Sequence, residues 1–395
     1  MNSGPVVFFY VQHLHGVGHV FRASRVARAL SAAGAEVHLV WGGTRVPSVN
    51  LEGLHMVWLE PLRASDITYS RLERPEGTAV DDAFLRVRTN QLLGAFHAIR
   101  PDILITETFP FGRRQMRFEL LPLMQATDEA DWPVMRVSSI RDLLQEGRKE
   151  SRVRESLDAA GKWFDLVLVH GDPQLAKIGE TLPHAHEIED RIAYSGLVTP
   201  ASADVSETPE FRADVVVSAG GGADGHALIA AALEARQFSR HAPSNWLLVA
   251  GSERNDAEVR ELAKQAGDGL RIERFVPNLT SVMAHAKASV SRAGYNTACD
   301  ILRARCPAVL VPYAGGDQTE QLRRARIFQS RGLAVMLRDE ELTPKSLGDA
   351  VDRAIERPPT KIEFDLDGAV NSAQIVLKHW VAGTQSLSRQ AAESG

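Results

Sequence analysis

Short, continuous apolar runs alternating with helix-length stretches recur along the whole chain, and this rhythm most constrains how it can fold. In the first half, residues 6–11, 36–41, 102–106, 134–138 and 166–170 read as strands, with helices such as 19–33 and 83–99 between them. The strand runs are mostly continuous rather than alternating in apolar residues, which predicts a parallel sheet covered by helices on both faces. After Phe211 the rhythm restarts, with strands expected over 215–218, 245–250, 270–275, 288–290, 308–312 and 333–337. The fold class is therefore α/β, with two doubly wound parallel sheets. Residues 199–209 between them are polar and carry Pro200 and Pro209, as a linker would. The expected organisation is a first domain over 1–198, a linker over 199–211, a second domain over 212–370, and a closing segment over 371–395. Within that segment 373–380 reads as a helix, and the polar stretch after Thr384 as a frayed tail.

Composition removes several function classes. A length of 395 residues suffices for two cores. The net charge of −5 offers nucleic acid no general attraction, so an anionic partner needs a local basic patch. The absence of an 18-residue apolar run or a leader-like start predicts a soluble, cytoplasmic protein. Cys299 and Cys306 are the only cysteines, and neither a disulfide nor a metal site is expected. His184 and His186 beside Glu187 read as a solvated loop, and Asp365-Leu366-Asp367 as a turn and helix cap.

The richest motif is Ser291-Arg292-Ala293-Gly294-Tyr295-Asn296-Thr297-Ala298-Cys299-Asp300, followed by the apolar run 308–313 and Asp317-Gln318. Gly294 reads as a turn residue free to take positive φ, and 297–305 as a helix whose N-terminus points at the preceding strand end. Orphan N–H groups and the positive end of the helix dipole converge there, which suits phosphates without a metal. Asp300, about one turn into the helix, is placed to accept hydrogen bonds from ribose hydroxyls. A second strand-to-helix junction, Ser218-Ala219-Gly220-Gly221-Gly222-Ala223-Asp224-Gly225, would let a diphosphate approach the backbone at Gly220, Gly221 and Gly222, or would simply be a flexible turn.

The order of these motifs over roughly 214–338 resembles the C-terminal domain of GT-B glycosyltransferases. It is similar above all to the MurG-like family, which adds N-acetylglucosamine to the lipid-linked muramyl peptide of peptidoglycan. The resemblance implies two Rossmann-like domains facing across a cleft, with the terminal helix packing back across it. It also implies that Ser291, Arg292, Ala293 and Gly294, with Asn296 and Thr297, meet the diphosphate and that Asp300 holds the ribose. Gln318, with Asp317, would meet ribose or sugar, and the stretch around Val276 would read the base through backbone groups. The chain departs from the family at Gln321, where Asn is common, and near Gly222, where a hydroxyl is usual.

Gly16-Val17-Gly18-His19 opens the first helix. A dinucleotide fingerprint would need another glycine near Phe21, but Arg22 follows, which excludes a dehydrogenase. Gly16 and Gly18 permit close approach of a sugar nucleotide. His19 reads either as a capping or buried histidine or as a general base, since an imidazole near its ordinary pKa of ~6.5 takes a proton at neutral pH. The segment is similar to the matching loop of inverting GT-B transferases. His19-Val20-Phe21-Arg22 also resembles the Gly-His-x-x-Arg loop of UDP-sugar hydrolases of bacterial nonulosonate synthesis.

Residues 106–118 follow a strand and combine Glu107, three aromatics and the arginines Arg113, Arg114 and Arg117. Glu107 is a candidate to orient His19 or to act as a base itself. The arginines suit an anionic acceptor or a solvated helix start. The segment resembles one in a group of uncharacterised bacterial proteins regarded as glycosyltransferases.

The resulting expectation is an inverting, metal-independent transferase without a cofactor. Its partners would be a nucleoside-diphosphate sugar, UDP-linked, and an anionic or lipid-linked acceptor, with peripheral membrane contact and no nucleic acid. A UDP-sugar hydrolase using His19 to activate water, and a non-catalytic nucleotide-sugar binder, are the alternatives.

Overall fold

The computed structural model describes the chain apart from residues 1–3, 15, 66–70, 203–204, 206–207, 210, 221–224, 242–243, 252–255, 265, 314–318, 358–361 and 394–395. Two compact units emerge, one of residues 1–144, 148–198 and 367–395, the other of 145–147 and 199–366.

The first unit runs β1 (Val6–Val11), α1 (Gly18–Ala32), β2 (Glu36–Trp41), β3 (His55–Trp58), a hairpin of β4 (Arg63–Ala64) and β5 (Leu72–Glu73), α2 (Asp82–Ile99), β6 (Ile103–Glu107), α3 (Arg117–Glu129), β7 (Met135–Arg141), α4 (Glu150–Trp163), β8 (Leu166–His170) and β9 (Ile192–Tyr194). Its seven-stranded sheet has the order β3-β2-β1-β6-β7-β8-β9, and every pairing is parallel. β1 explains the architecture. Successive side chains of a strand point to opposite faces. Val7, Phe9 and Val11 enter the core shared with α1, while Phe8 and Tyr10 enter the one under α2 and α3. Each such side chain contributes roughly 1.5–3 kcal/mol on burial, so this strand is held at the centre.

Beneath it lies a buried polar frame. Arg88 on α2 donates to Glu119 on α3 at 2.7 and 3.0 Å and to Gln12 at 2.7 Å, and Tyr10 donates to the same carboxylate. Gly42 must stay side-chain-free, because a Cβ there would lie 2.1 Å from Gln12 Oε1 and 2.3 Å from Arg88 Nη2.

The second unit runs β10 (Val215–Ser218), α5 (His226–Ala235), β11 (Trp246–Val249), α6 (Asp256–Ala263), β12 (Leu270–Glu273), α7 (Leu279–Ala284), β13 (Ala288–Ser291), α8 (Tyr295–Ala304), β14 (Ala308–Leu310), α9 (Thr319–Ser330), β15 (Val335–Met336) and α10 (Pro344–Glu356). Its sheet, β12-β11-β10-β13-β14-β15, is again all parallel. Local sequence sets the helix starts. Asn278 accepts from Ser281 N to cap α7, and Thr343 accepts from Ser346 N, with Pro344 in the first turn, to cap α10.

The chain then returns to the first unit as α11 (Gly368–Glu393), whose Ala373 and Val376 join the core packed by α1. The sequence reading began this segment at residue 371 and frayed it after Thr384. The helix instead starts at Gly368, and its backbone stays helical to Glu393, through a stretch rich in helix formers such as Leu387, Arg389 and Ala391. Thr199 and Leu366, the ends of the two crossing segments, are tied by Thr199 Oγ1 donating to Leu366 O at 2.7 Å. Arg303 on α8 donates to both at 2.8 and 2.7 Å. The start of the expected linker is thus pinned.

Candidate functional site

In an open parallel sheet, ligands bind beyond the strand C-termini where the strand order reverses. The first unit reverses between β1 and β6, and the second between β10 and β13. The candidate residues gather at these two places.

At the first, β1 runs into Gly16, which has φ +60, and α1 begins at Gly18 without a side-chain cap because Val17 has nothing to offer. His19 stands in the first turn. Glu107 ends β6, and although 88 residues away its carboxylate oxygens lie 2.9 and 3.0 Å from His19 Nδ1. This contact places the imidazole proton on Nδ1 and leaves Nε2 as an acceptor. The histidine side chain is 17% exposed and Glu107 not at all, so one edge of the ring remains open.

Glu107 is held by more than His19. Arg22 donates to Oε1, Thr108 donates to Oε2 at 2.7 Å, and Arg113 Nη2 lies 3.9 Å away. Burial alone would raise this carboxyl, but His19, Arg22 and Arg113 hold it well below the usual carboxylate range. Burial, reinforced by Arg113, pushes His19 below its ordinary value, while Glu107 pulls the other way. The dyad is therefore a neutral imidazole on a charged carboxylate whose charge is met by Arg22. The sequence reading left Arg22 outside the site, because only the fold shows that one helical turn after His19 points at Glu107.

His170 lies behind the dyad, fully buried, with Nε2 2.7 Å from Ser139 Oγ and Nδ1 3.0 Å from Ser195 Oγ. Burial and the Arg22 charge push it down to about 3.

The three arginines expected to act together separate. Arg113, in left-handed backbone at φ +57, turns to Glu107. Arg114 and Arg117 share Glu155 on α4, Arg114 at 2.6 Å, near the surface. The division follows from helix geometry. Arg113 precedes the helical turn, whereas Arg114 and Arg117 are three apart and share a face.

At the second reversal the site is made mostly of backbone. β13 ends at Ser291, and α8 starts two residues earlier than expected, at Tyr295. The expected positive φ at Gly294 is corrected. It caps α8 in extended conformation at φ −67, ψ 157, and with no side chain it leaves the first turn open. Among the described residues a Cβ there would meet only Thr297 Oγ1, at 3.9 Å, so none of them requires this residue to be glycine. Ser291 Oγ, on a residue 1% exposed, has no hydrogen-bond partner among the described residues.

Arg292, expected to meet the diphosphate, is turned inward and donates to Asp339 at 2.6 Å and to Val311 O at 3.1 Å. Ala293 is buried, Asn296 and Thr297 stand in the first turn of α8, and Asp300 accepts from Thr280 at 3.0 Å. The Val276 side chain is buried in the core, so only its main chain is left for a ligand. Gly220, at φ +79, follows β10, and Gly251, at φ +93, approaches it so closely that a Cβ would lie 2.4 Å from Gly220 O. Gly221, Gly222, Asp317 and Gln318 lie outside the described residues. Gln321, the departure noted above, is 9% exposed and accepts from Tyr313 N at 3.2 Å. Among the described residues no group of three or more His, Cys, Asp or Glu is placed to hold a metal ion, and no helix is long and apolar enough to cross a membrane.

Two doubly wound parallel sheets are the architecture of the GT-B fold, and comparison with known proteins shows what the chain is similar to. Residues 215–373 match the glycosyltransferase family 28 C-terminal domain. The chain is 26% identical over 352 residues to the UDP-N-acetylglucosamine–N-acetylmuramyl-(pentapeptide) pyrophosphoryl-undecaprenol N-acetylglucosamine transferase of Symbiobacterium thermophilum, covering 86% of this chain and 85% of that one. It is 31% identical over 83 residues to the enzyme of the same name from Thermotoga neapolitana, covering 21% and 24%. The chain spans less than half the length of the curated relatives it matches first, 24% of the Thermotoga neapolitana enzyme, 46% of an uncharacterized glycosyltransferase of Methanopyrus kandleri and 33% of the Carboxydothermus hydrogenoformans enzyme. The crystal structure of Acinetobacter baumannii MurG superposes with a TM-score of 0.56 at 14% identity, over 96% of this chain and 99% of that one. The chain thus has the GT-B fold, carries a glycosyltransferase family 28 C-terminal domain over 215–373, and is similar to MurG-like enzymes.

Proposed function

We propose that the chain transfers a sugar, with inversion, from a nucleoside-diphosphate sugar, UDP-linked, to an acceptor hydroxyl. The observation that carries this reading is the His19–Glu107 pair at the first strand reversal, with Nδ1 held 2.9 Å from the carboxylate and Nε2 left to accept. His19 Nε2 takes the proton as the acceptor oxygen forms its bond to the anomeric carbon. The bond from that carbon to the diphosphate breaks on the opposite face, and its electron pair leaves with the diphosphate. Glu107 acts through His19, fixing the tautomer and stabilising the imidazolium that forms. The second reversal supports the other half of the reaction. The start of α8, where Gly294 brings no side chain to cap it, meets the charge that develops on the leaving diphosphate with the positive end of the helix dipole, the electrostatic contribution that is usually largest. Asp300 takes the ribose, and the main chain at Val276 the base.

The acceptor proposed is anionic, met by Arg114 and Arg117, whose two positive charges share the single carboxylate of Glu155. A lipid-linked acceptor, as in the names of the relatives, would bring the protein to a membrane surface.

The test is nucleoside-diphosphate release from a panel of UDP-, GDP- and dTDP-sugars by purified protein, with and without acceptors from a cell extract. Release from UDP-sugars that depends on the extract is expected. Equal release without it would make water the acceptor and the protein a hydrolase, and binding without release would make it a sensor.

A further inference from the structure

The turn between β13 and α8 is gripped from within by a side chain that no part of the reading above uses. Arg324, on α9, is 1% exposed, and its Nη1 donates to the carbonyl of Ala293 at 3.0 Å. Its guanidinium carbon also lies 5.9 Å from the ring centroid of Tyr295. One arginine thus contacts the residues on both sides of Gly294.

The consequence follows from peptide geometry. The bond between Ala293 and Gly294 is trans, since the only cis bond among the described residues is Phe109-Pro110. In a trans unit the carbonyl and the N–H point in opposite directions. Holding the Ala293 carbonyl against Arg324 therefore aims the Gly294 N–H away from it. Among the described residues the Gly294 Cβ direction is open, as the 3.9 Å distance to Thr297 Oγ1 shows. The Ser291 hydroxyl at the end of β13, without a partner among the described residues, is a second polar group that this turn leaves unused.

We infer that Arg324 is the positioning residue of the phosphate-binding turn, setting the Ala293–Gly294 peptide so that its N–H meets a diphosphate. The inference rests on the nucleotide reading of that turn. It also explains why a guanidinium is placed there. Ordering a backbone carbonyl through a charge-assisted hydrogen bond fixes the whole peptide plane, which an apolar side chain of the same volume would leave free to rotate.

The experiment is titration of the full chain and of Arg324→Met and Arg324→Gln with UDP, inorganic pyrophosphate and uridine, with melting followed in parallel. Arg324→Met should weaken UDP and pyrophosphate about tenfold, the scale of one charge-assisted hydrogen bond, and leave uridine within about twofold. Arg324→Gln, which keeps a neutral donor, should fall between. Losses equal for all three probes would show a merely structural residue and overturn the inference. So would unchanged UDP affinity, which would leave the nucleotide reading standing. If the unaltered protein binds neither UDP nor pyrophosphate, the nucleotide reading fails and takes this inference with it. Should Arg324→Met not fold, Arg324→Gln decides by the same criterion, a loss confined to the phosphate-bearing probes.

Discussion

The two strand reversals solve different problems with different materials. At the first, charged side chains are packed in the interior, where Glu107 is fully buried among His19, Arg22, Thr108 and Arg113, and the function proposed for it rests on them. At the second, Arg292 and Arg324 face inward, to Asp339 and to Ala293 O, and among the described residues the turn itself offers a ligand mainly main chain and small residues, with Asp300 one turn further on. The difference follows from the chemistry asked of each. Moving a proton needs a titratable group held in one tautomer. Stabilising a departing diphosphate needs many fixed N–H dipoles, which a tight turn and a helix start supply without any side chain. The first site should therefore be broken above all by removing a side chain, while the second should also be sensitive to adding one.

The largest effect expected is on the first site. His19→Ala should lower turnover by ~10²-fold or more, the usual scale for a lost general base, with UDP affinity nearly normal by calorimetry. Unchanged turnover would remove His19 from the chemistry.

At the second site the corresponding change is an addition. Gly251→Ala places a Cβ 2.4 Å from Gly220 O at a residue with φ +93, and should cost about 1–3 kcal/mol of stability in denaturant melts, the range for overpacking. UDP binding should weaken with it, while the same substitution at Gly294, where space is open, should fold normally. If both variants melt like the parent, the second site does not depend on close backbone approach.

Asp300→Ala should weaken UDP about tenfold. If affinity is untouched, the ribose assignment falls.

Acid should act on the first unit selectively. His13, pushed down to about 4 by burial and by Arg113, and His170, pushed down to about 3 by burial and by Arg22, are neutral in the fold and ionise near ~6.5 once unfolded. A folded-state pKa below the unfolded one means that stability is complete above pH ~6.5 and is lost as pH falls toward those values. Each histidine contributes up to about 1.4 kcal/mol per pH unit in that window. His170→Gln should flatten the pH dependence of urea melts, and an unchanged slope would show that His170 is not held neutral.

The smallest effect is expected at the surface. Arg114→Gln with Arg117→Gln should change stability by less than about 1 kcal/mol, as exposed pairs do, yet raise KM for an anionic acceptor a few-fold. An effect on donor KM instead would move the segment to the donor side.

Much of the fold was legible in the chain. The runs expected at 6–11, 36–41, 166–170 and 215–218 became β1, β2, β8 and β10 with the same limits. A parallel strand covered on both faces is mostly apolar, so its ends lie near where polarity begins. β3 and β9 escaped because edge strands are short and partly exposed. His55 to Trp58 alternates weakly, and Ile192 to Tyr194 is only half buried. The start of α8 was misjudged by two residues, because Tyr295 and Asn296 look like loop residues until the cap at Gly294 is seen.

What the sequence by itself determined is the α/β class, the two sheets, and the turn-forming and titratable residues at their strand ends, because periodicity and glycine placement act locally. What only the tertiary structure decided is which charges meet. The sequence leaves Glu107 either to orient His19 or to act as a base itself, and the fold puts it against His19, but nothing near Glu107 announces Arg22, and nothing near Ala293 announces Arg324. Arg22, Arg292 and Arg324 read as surface residues by type, and each is buried here. A buried charge must find its partner wherever the topology brings one, and that is a property of strand order that no local pattern contains.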